Sequence, residues 1–120
     1  MKIKVKGTWA FNRPKRPTIV CLCGSTRFMR EFELCCIRES SKGKIVLSVW
    51  YNFHEAPQTE LSRQAKIRAD ELHLRKIELA DEILVLNVNG YIGESTRNEI
   101  NHAKKLKKRI RYLELKPIDF

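Results

Sequence analysis

Two short stretches of this 120-residue chain repeat one combination of glycine, hydroxyls and arginine: Gly24-Ser25-Thr26-Arg27 and Gly93-Glu94-Ser95-Thr96-Arg97. Each comes after an apolar run and opens a helix-like segment. The chemistry this suits is the holding of an anion. Glycine lets the backbone approach a ligand closely. Hydroxyls and unsatisfied N–H groups at a helix N-terminus attract negative charge, and Arg27 and Arg97 can add forked, charge-assisted hydrogen bonds. Neither stretch is a P-loop or a Gly-x-Gly-x-x-Gly turn. Plain N-capping by Ser25, Thr26, Ser95 and Thr96 explains either loop alone; the pair points to a ligand.

Glu99 follows the second loop. Thr96-Arg97-Asn98-Glu99 fits a capping box, in which the glutamate reaches back to the N-cap amide. The alternative places Glu99 in the first helical turn at the mouth of a crevice. There the helix dipole favours its ionised form as a nucleophile or as a stabiliser of a cationic transition state. Glu94 reads as a loop residue. The four cysteines suggest little chemistry: Cys21 and Cys23 alternate on a strand, Cys35 and Cys36 are adjacent on a helix, and neither pair has the C-x2-C spacing of a structural zinc site. They are expected as small buried side chains, and neither a metal nor a cofactor is called for. Trp50, Tyr51 and Phe53 end the second strand, where a base can stack, although core packing explains Trp50 as well.

The elements that must position these residues alternate. Residues 18–23, 44–50, 82–88 and 110–115 read as strands, the first being the continuous β-branched and apolar run of a parallel strand covered on both faces. Phe28, Phe32, Cys35 and Cys36 recur at helical spacing, with Gly43 as the stop. A long helix starts at Thr59, helped by Ser62, and runs to Leu79 with Ala65, Ala69, Leu72 and Leu79 near one face. A third helix is expected over 97–107. Strand-helix alternation implies an α/β, three-layer, doubly wound, flavodoxin-like parallel sheet, with helices on both faces. In strand order 2-1-3-4 the reversal lies between the first and third strands. The two loops then line one crevice. Residues 1–17 are expected as an N-terminal arm or edge strand, 18–115 as the domain and 116–120 as a tail.

Composition bounds the partners. Apolar residues make up 42% and charged residues 32%, as in globular proteins, and the apolar runs are strand-sized, so no membrane span is expected. The basic start lacks a continuous apolar stretch, so a cytoplasmic location with reduced cysteines is expected. The net charge of +10 is densest over residues 104–111, with a second cluster over 13–16. It suits nucleotides, nucleic acid or an acidic protein. A solvated helix end explains the lysines equally well.

Three stretches resemble the nucleoside 2-deoxyribosyltransferase-like superfamily, nearest to its 2'-deoxynucleoside 5'-phosphate N-hydrolase branch and to phage and bacterial relatives. They are IVCLCGSTR (19–27), LADEILVLNV (79–88) and ESTRNEINHAKKLKKRIRYL (94–113). The resemblance covers about residues 18–113. It implies a phosphate loop at Gly24, Ser25 and Arg27, a loop hydroxyl at Ser95, the catalytic glutamate at Glu99, and a homo-oligomer in which neighbouring subunits complete the sites. Where relatives carry an aspartate eight residues before the Ala-Asp step, this chain has His73, which can donate a proton or simply pack beside Ile77 and Ala80. The expectation is an enzyme that cleaves or exchanges the N-glycosidic bond of a nucleotide. Gly24, Ser25, Arg27, Ser95 and Arg97 would hold the phosphate, Tyr51, Phe53 and Asn98 the base and sugar, with Glu99 as nucleophile and His73 as acid or orienter. A non-catalytic nucleotide-sensing module and a nucleic-acid- or partner-binding protein using the basic run are the alternatives.

Overall fold

In the computed structural model, which describes residues 16–49, 52 and 55–115, four strands form one parallel sheet. They are β1 (Ile19–Cys23), β2 (Ile45–Leu47), β3 (Glu82–Val85) and β4 (Arg109–Tyr112), in the order β2-β1-β3-β4. This is the expected 2-1-3-4 arrangement. The register sets Ile19 beside Ile45, Val20 beside Glu82 and Val85 beside Tyr112. The described helices are α1 (Met29–Ser41), α2 (Glu60–Leu79) and α3 (Glu94–Lys105), with single 3-10 turns at Thr26–Phe28 and Val88–Gly90.

Alternation along β1 and β3 builds two cores, since successive side chains of a strand point to opposite faces. Val20, Leu22, Leu84 and Leu86 meet Phe32 and Cys35 of α1. Cys21, Cys23, Ile83 and Val85 meet Ile77 of α2, Ala80, and Ile100 and Ala103 of α3. Both inner strands are covered on both faces, which is why they are apolar without a polar alternation. At roughly 25 cal/mol per Å² of apolar surface removed from water, these faces are the main stabilising contribution.

α2 differs from expectation in its buried face. His73 and Ile77 turn inward, whereas Leu72 and Leu79 are exposed. The helix is so rich in charge that its few leucines do not define a stripe, and burial falls on His73 and Ile77 instead. Thr59 caps it as expected, accepting from Ser62 N while the Ser62 hydroxyl returns the bond to the Thr59 amide. Gly43 (φ 85°) ends α1 in a left-handed turn, with its N–H donating to Ser40 O and that of Lys44 to Glu39 O. Of the expected arm, Arg16 is described, donating twice to Asp81 at 2.8 and 2.9 Å. The rest of the arm (1–15), the tail 116–120, and Trp50, Tyr51 and Phe53 lie outside the described residues. Among the described residues no helix is long and apolar enough to cross a membrane.

Candidate functional site

A crevice of about 340 Å³ opens at the carboxyl ends of β1 and β3. That volume is within the range of small-molecule sites. Its walls are the two glycine-hydroxyl loops, one side of α2 and Val49 after β2. Gly24 to Arg27 and Gly93 to Thr96 are both in the lining, so the two loops do face one space.

Close packing holds the loops together. A Cβ on Gly24 would stand 3.1 Å from Leu86 Cβ and 3.3 Å from Leu86 O, so only glycine lets β1 turn this close to β3. Arg27 lies 4.5 Å from the centre of the Tyr91 ring, and Phe28 meets the same ring edge-on at 6.0 Å. Behind them, buried Asn87 exchanges hydrogen bonds with the Glu114 backbone at 2.9 and 3.2 Å. The Glu114 carboxylate accepts from Asn89 N, which fixes the loop carrying Tyr91 and Gly93.

The first junction keeps its cap: Ser25 precedes the 3-10 turn and its hydroxyl accepts from Arg27 N at 3.3 Å. The second does not have the expected one. α3 begins at Glu94, three residues earlier than the expected start at 97, with extended Gly93 at the N-cap, which offers no side-chain cap. Ser95 and Thr96 therefore lie within the helix. Thr96 and Glu99 are one turn apart inside α3, both buried, and the capping-box reading fails. Glycine is an acceptable N-cap and Glu94 suits the positive end of the dipole, so the earlier start costs little. The uncapped amides point to the crevice end of the helix.

Glu99 is 8% exposed, lines the crevice, and its Oε1 has no hydrogen-bond partner among the described residues. Burial pushes its pKa up to about 7; the His73 charge opposes this while Cys21 and Asp70 add to it. The dipole therefore does not secure the ionised form as expected; desolvation wins. His73 is not merely packed against Ile77 and Ala80. It lines the crevice, with Nε2 2.9 Å from Leu22 O and 3.5 Å from Cys21 Sγ. Burial lowers its basicity, yet the contact with Cys21 outweighs that and raises its pKa. The Cys23 thiol bonding to Cys21 pulls the Cys21 pKa down against burial, with help from His73.

Of the other expected residues, Arg97 and Asn98 are exposed and take no part in the lining. Both lie off the buried face of α3, which is formed by Thr96, Glu99, Ile100 and Ala103. Tyr51 and Phe53 lie outside the described residues. Several lining residues carried no sequence signal: Lys66, Asp70 and Lys76 of α2, and Tyr91. Asp70 is one turn before His73 and is held by Lys66 at 2.8 and 3.0 Å; Lys76 donates to Ser48 O at 2.7 Å. Only the i, i+3 spacing of Asp70 and His73 could have linked them. Among the described residues, those able to hold a metal are Cys21, Cys23 and His73, whose ligand atoms all lie within 4.8 Å of one another. Compared with known proteins, the chain matches no family model and no curated sequence.

Proposed function

We propose that this protein binds a nucleoside monophosphate in the crevice and cleaves or exchanges its N-glycosidic bond. One observation carries the reading: Glu99 is a buried carboxylate with an unpartnered oxygen, set in a crevice whose other wall is two loops suited to an anion. The phosphate would lie against Gly24, Ser25, Arg27, Gly93 and Ser95, using backbone N–H groups at the start of α3. The sugar carbon would then face Glu99. In its ionised form Glu99 attacks that carbon; the C–N bond breaks and its electron pair leaves with the base, which takes a proton. His73 is the crevice group placed to supply that proton. Water, or a second base, then displaces Glu99 from the sugar. The resemblance to the deoxyribosyltransferase-like group favours the same bond.

The test is base release from a panel of ribo- and deoxyribonucleoside monophosphates, with and without an acceptor base, read by chromatography. Free base from the wild type and none from folded Glu99→Ala supports the reading. No base from any substrate overturns it. A nucleotide-sensing role is the second reading, favoured by the contacts His73 already makes with Leu22 O and Cys21. It predicts nucleotide binding without turnover, retained in Glu99→Ala.

A further inference from the structure

Behind the crevice wall, Cys21 and Cys23 project from β1 toward α2 and α3, and neither is exposed. A C-x-C pair on a strand puts both thiols on the same face. His73, from α2, brings an imidazole to them: Nε2 is 3.5 Å from Cys21 Sγ. In a tetrahedral zinc site, bonds of about 2.3 Å to sulfur and about 2.0–2.1 Å to nitrogen give a sulfur-to-nitrogen edge of about 3.6 Å. The pair therefore already has the spacing of two ligands of one ion. The ligand atoms of Cys21, Cys23 and His73 all lie within 4.8 Å of one another. A separate observation comes from α3: Glu99 lies nearby with its buried Oε1 unpartnered.

From this geometry we infer that Cys21, Cys23 and His73 form a binding site for a borderline-soft divalent cation of the Zn²⁺ class, with three protein ligands and a fourth position open to water. Two thiolates and an imidazole select zinc-like ions over Mg²⁺ or Ca²⁺, which need oxygen ligands. Loading releases one proton from each thiol. The imidazole binds neutral, its proton on Nδ1, so the Nε2 contact with Leu22 O is exchanged for the metal bond. A loaded site withdraws His73 from the crevice, so the proposed glycosyl transfer belongs to the metal-free protein. The metal site stands apart from that reading, because its ligands are defined whether or not a nucleotide is cleaved.

The test titrates Co²⁺ into the reduced, chelator-washed full chain, followed by Zn²⁺. Expected are tetrahedral cobalt bands with thiolate-to-cobalt charge transfer, both abolished by Zn²⁺ and unaffected by Mg²⁺. The Cys35→Ser/Cys36→Ser variant keeps the full spectrum. His73→Asn keeps charge transfer but binds at least about tenfold more weakly. Cys21→Ser/Cys23→Ser abolishes charge transfer; should that variant not fold, the wild type with the His73 and Cys35/Cys36 variants decides the matter. No charge transfer in the wild type, loss of it in Cys35→Ser/Cys36→Ser, or unchanged binding by His73→Asn each overturns the proposal.

Discussion

The two ends of the sheet bury glutamates and treat them in opposite ways: Glu99 at the crevice end, Glu39 and Glu82 at the other. At the crevice end Glu99 has an unpartnered oxygen, and burial drives its pKa up to about 7. At the opposite end Glu39, the last buried residue of α1, shows no exposed surface. Burial pushes its pKa up as well, but hydrogen bonds from Lys44 and Arg111 prevail and hold it at about 2. Lys44 donates to Glu39 and Glu82 at 2.9 Å each, and Arg111 to the same two at 2.6 and 3.0 Å. This network joins α1 to the starts of β2 and β3 and to β4. Glu39 also has one oxygen, Oε2, without a hydrogen bond, but cations surround it. Ion-paired, a buried carboxylate fastens elements together, whereas Glu99, in no ion pair among the described residues, is left with free energy that a ligand can recover. The difference teaches where the protein is built to hold itself and where it is built to react.

Exchanging each glutamate for glutamine should separate the two roles. Glu99→Gln is expected to lower base release by about a thousandfold or more, with a melting temperature no lower than the wild type's, since a poorly solvated carboxylate has been removed. Glu39→Gln should do the reverse. It leaves Lys44 and Arg111 facing Glu82 alone and should cost about 3 kcal/mol in denaturant unfolding, while nucleotide binding survives in the folded fraction. Glu39→Gln without a stability loss would break the contrast, as would Glu99→Gln that unfolds the chain.

Acid titration sharpens the same contrast. The folded-state pKa of Glu39 lies below its ordinary value of 4.5, so the ionised form is favoured by folding. Its contribution is fully present above about pH 4.5 and fades as pH falls toward about 2. The groups facing it are Lys44, Arg111 and Glu82, with Arg38 at 3.5 Å and Lys42 at 3.7 Å. The stability gap between wild type and Glu39→Gln should therefore narrow across that window. A gap that stays constant down to pH 2 would show that the network does not depend on the Glu39 charge.

Gly24→Ala has a smaller expected effect, at the crevice end. Its new methyl meets Leu86 Cβ at 3.1 Å, and the neighbour it must displace is buried in the core just after β3. A loss of about 1–2 kcal/mol is expected in thermal or denaturant unfolding, together with weaker nucleotide binding as the two loops separate. Unchanged binding in a destabilised variant would show that the close approach serves packing alone.

Much of this arrangement was legible in the sequence because it follows from order and period. Alternation of apolar strands with helical spacing fixes a parallel sheet, and the 2-1-3-4 order brings Gly24 and Gly93 to one crevice. What was not legible depends on contacts between distant residues. The start of α3 was read from hydroxyls at 95 and 96, where capping chemistry is strongest, yet Gly93 takes the cap, and Arg97 and Asn98 lie off the buried face. Thr96 and Glu99 match a capping box as a string; only their burial shows that they do something else. Cys21 and His73 are 52 residues apart, and no spacing rule joins a strand thiol to a helix imidazole. The Glu39 network escaped for the same reason: each of its members, taken singly, is an ordinary charged residue.

The smallest expected effect belongs to the basic end of α3. Lys107 takes a left-handed conformation (φ 57°), with its N–H donating to Lys104 O and that of Lys108 to Ala103 O, the same turn that Gly43 makes after α1. A side chain in that conformation costs about 1 kcal/mol that glycine avoids. Lys107→Gly should therefore raise stability by about that amount in denaturant unfolding. It also removes one of the exposed cations grouped with Lys104 and Lys105. These lie at the end of α3 away from Gly93, and charges beyond a Debye length of about 8 Å are screened at physiological salt, so affinity for a monophosphate should stay within about twofold. A large fall in that affinity would join the two ends that the buried glutamates separate. A shallower salt dependence of polynucleotide binding in Lys107→Gly would instead assign the basic end a partner of its own.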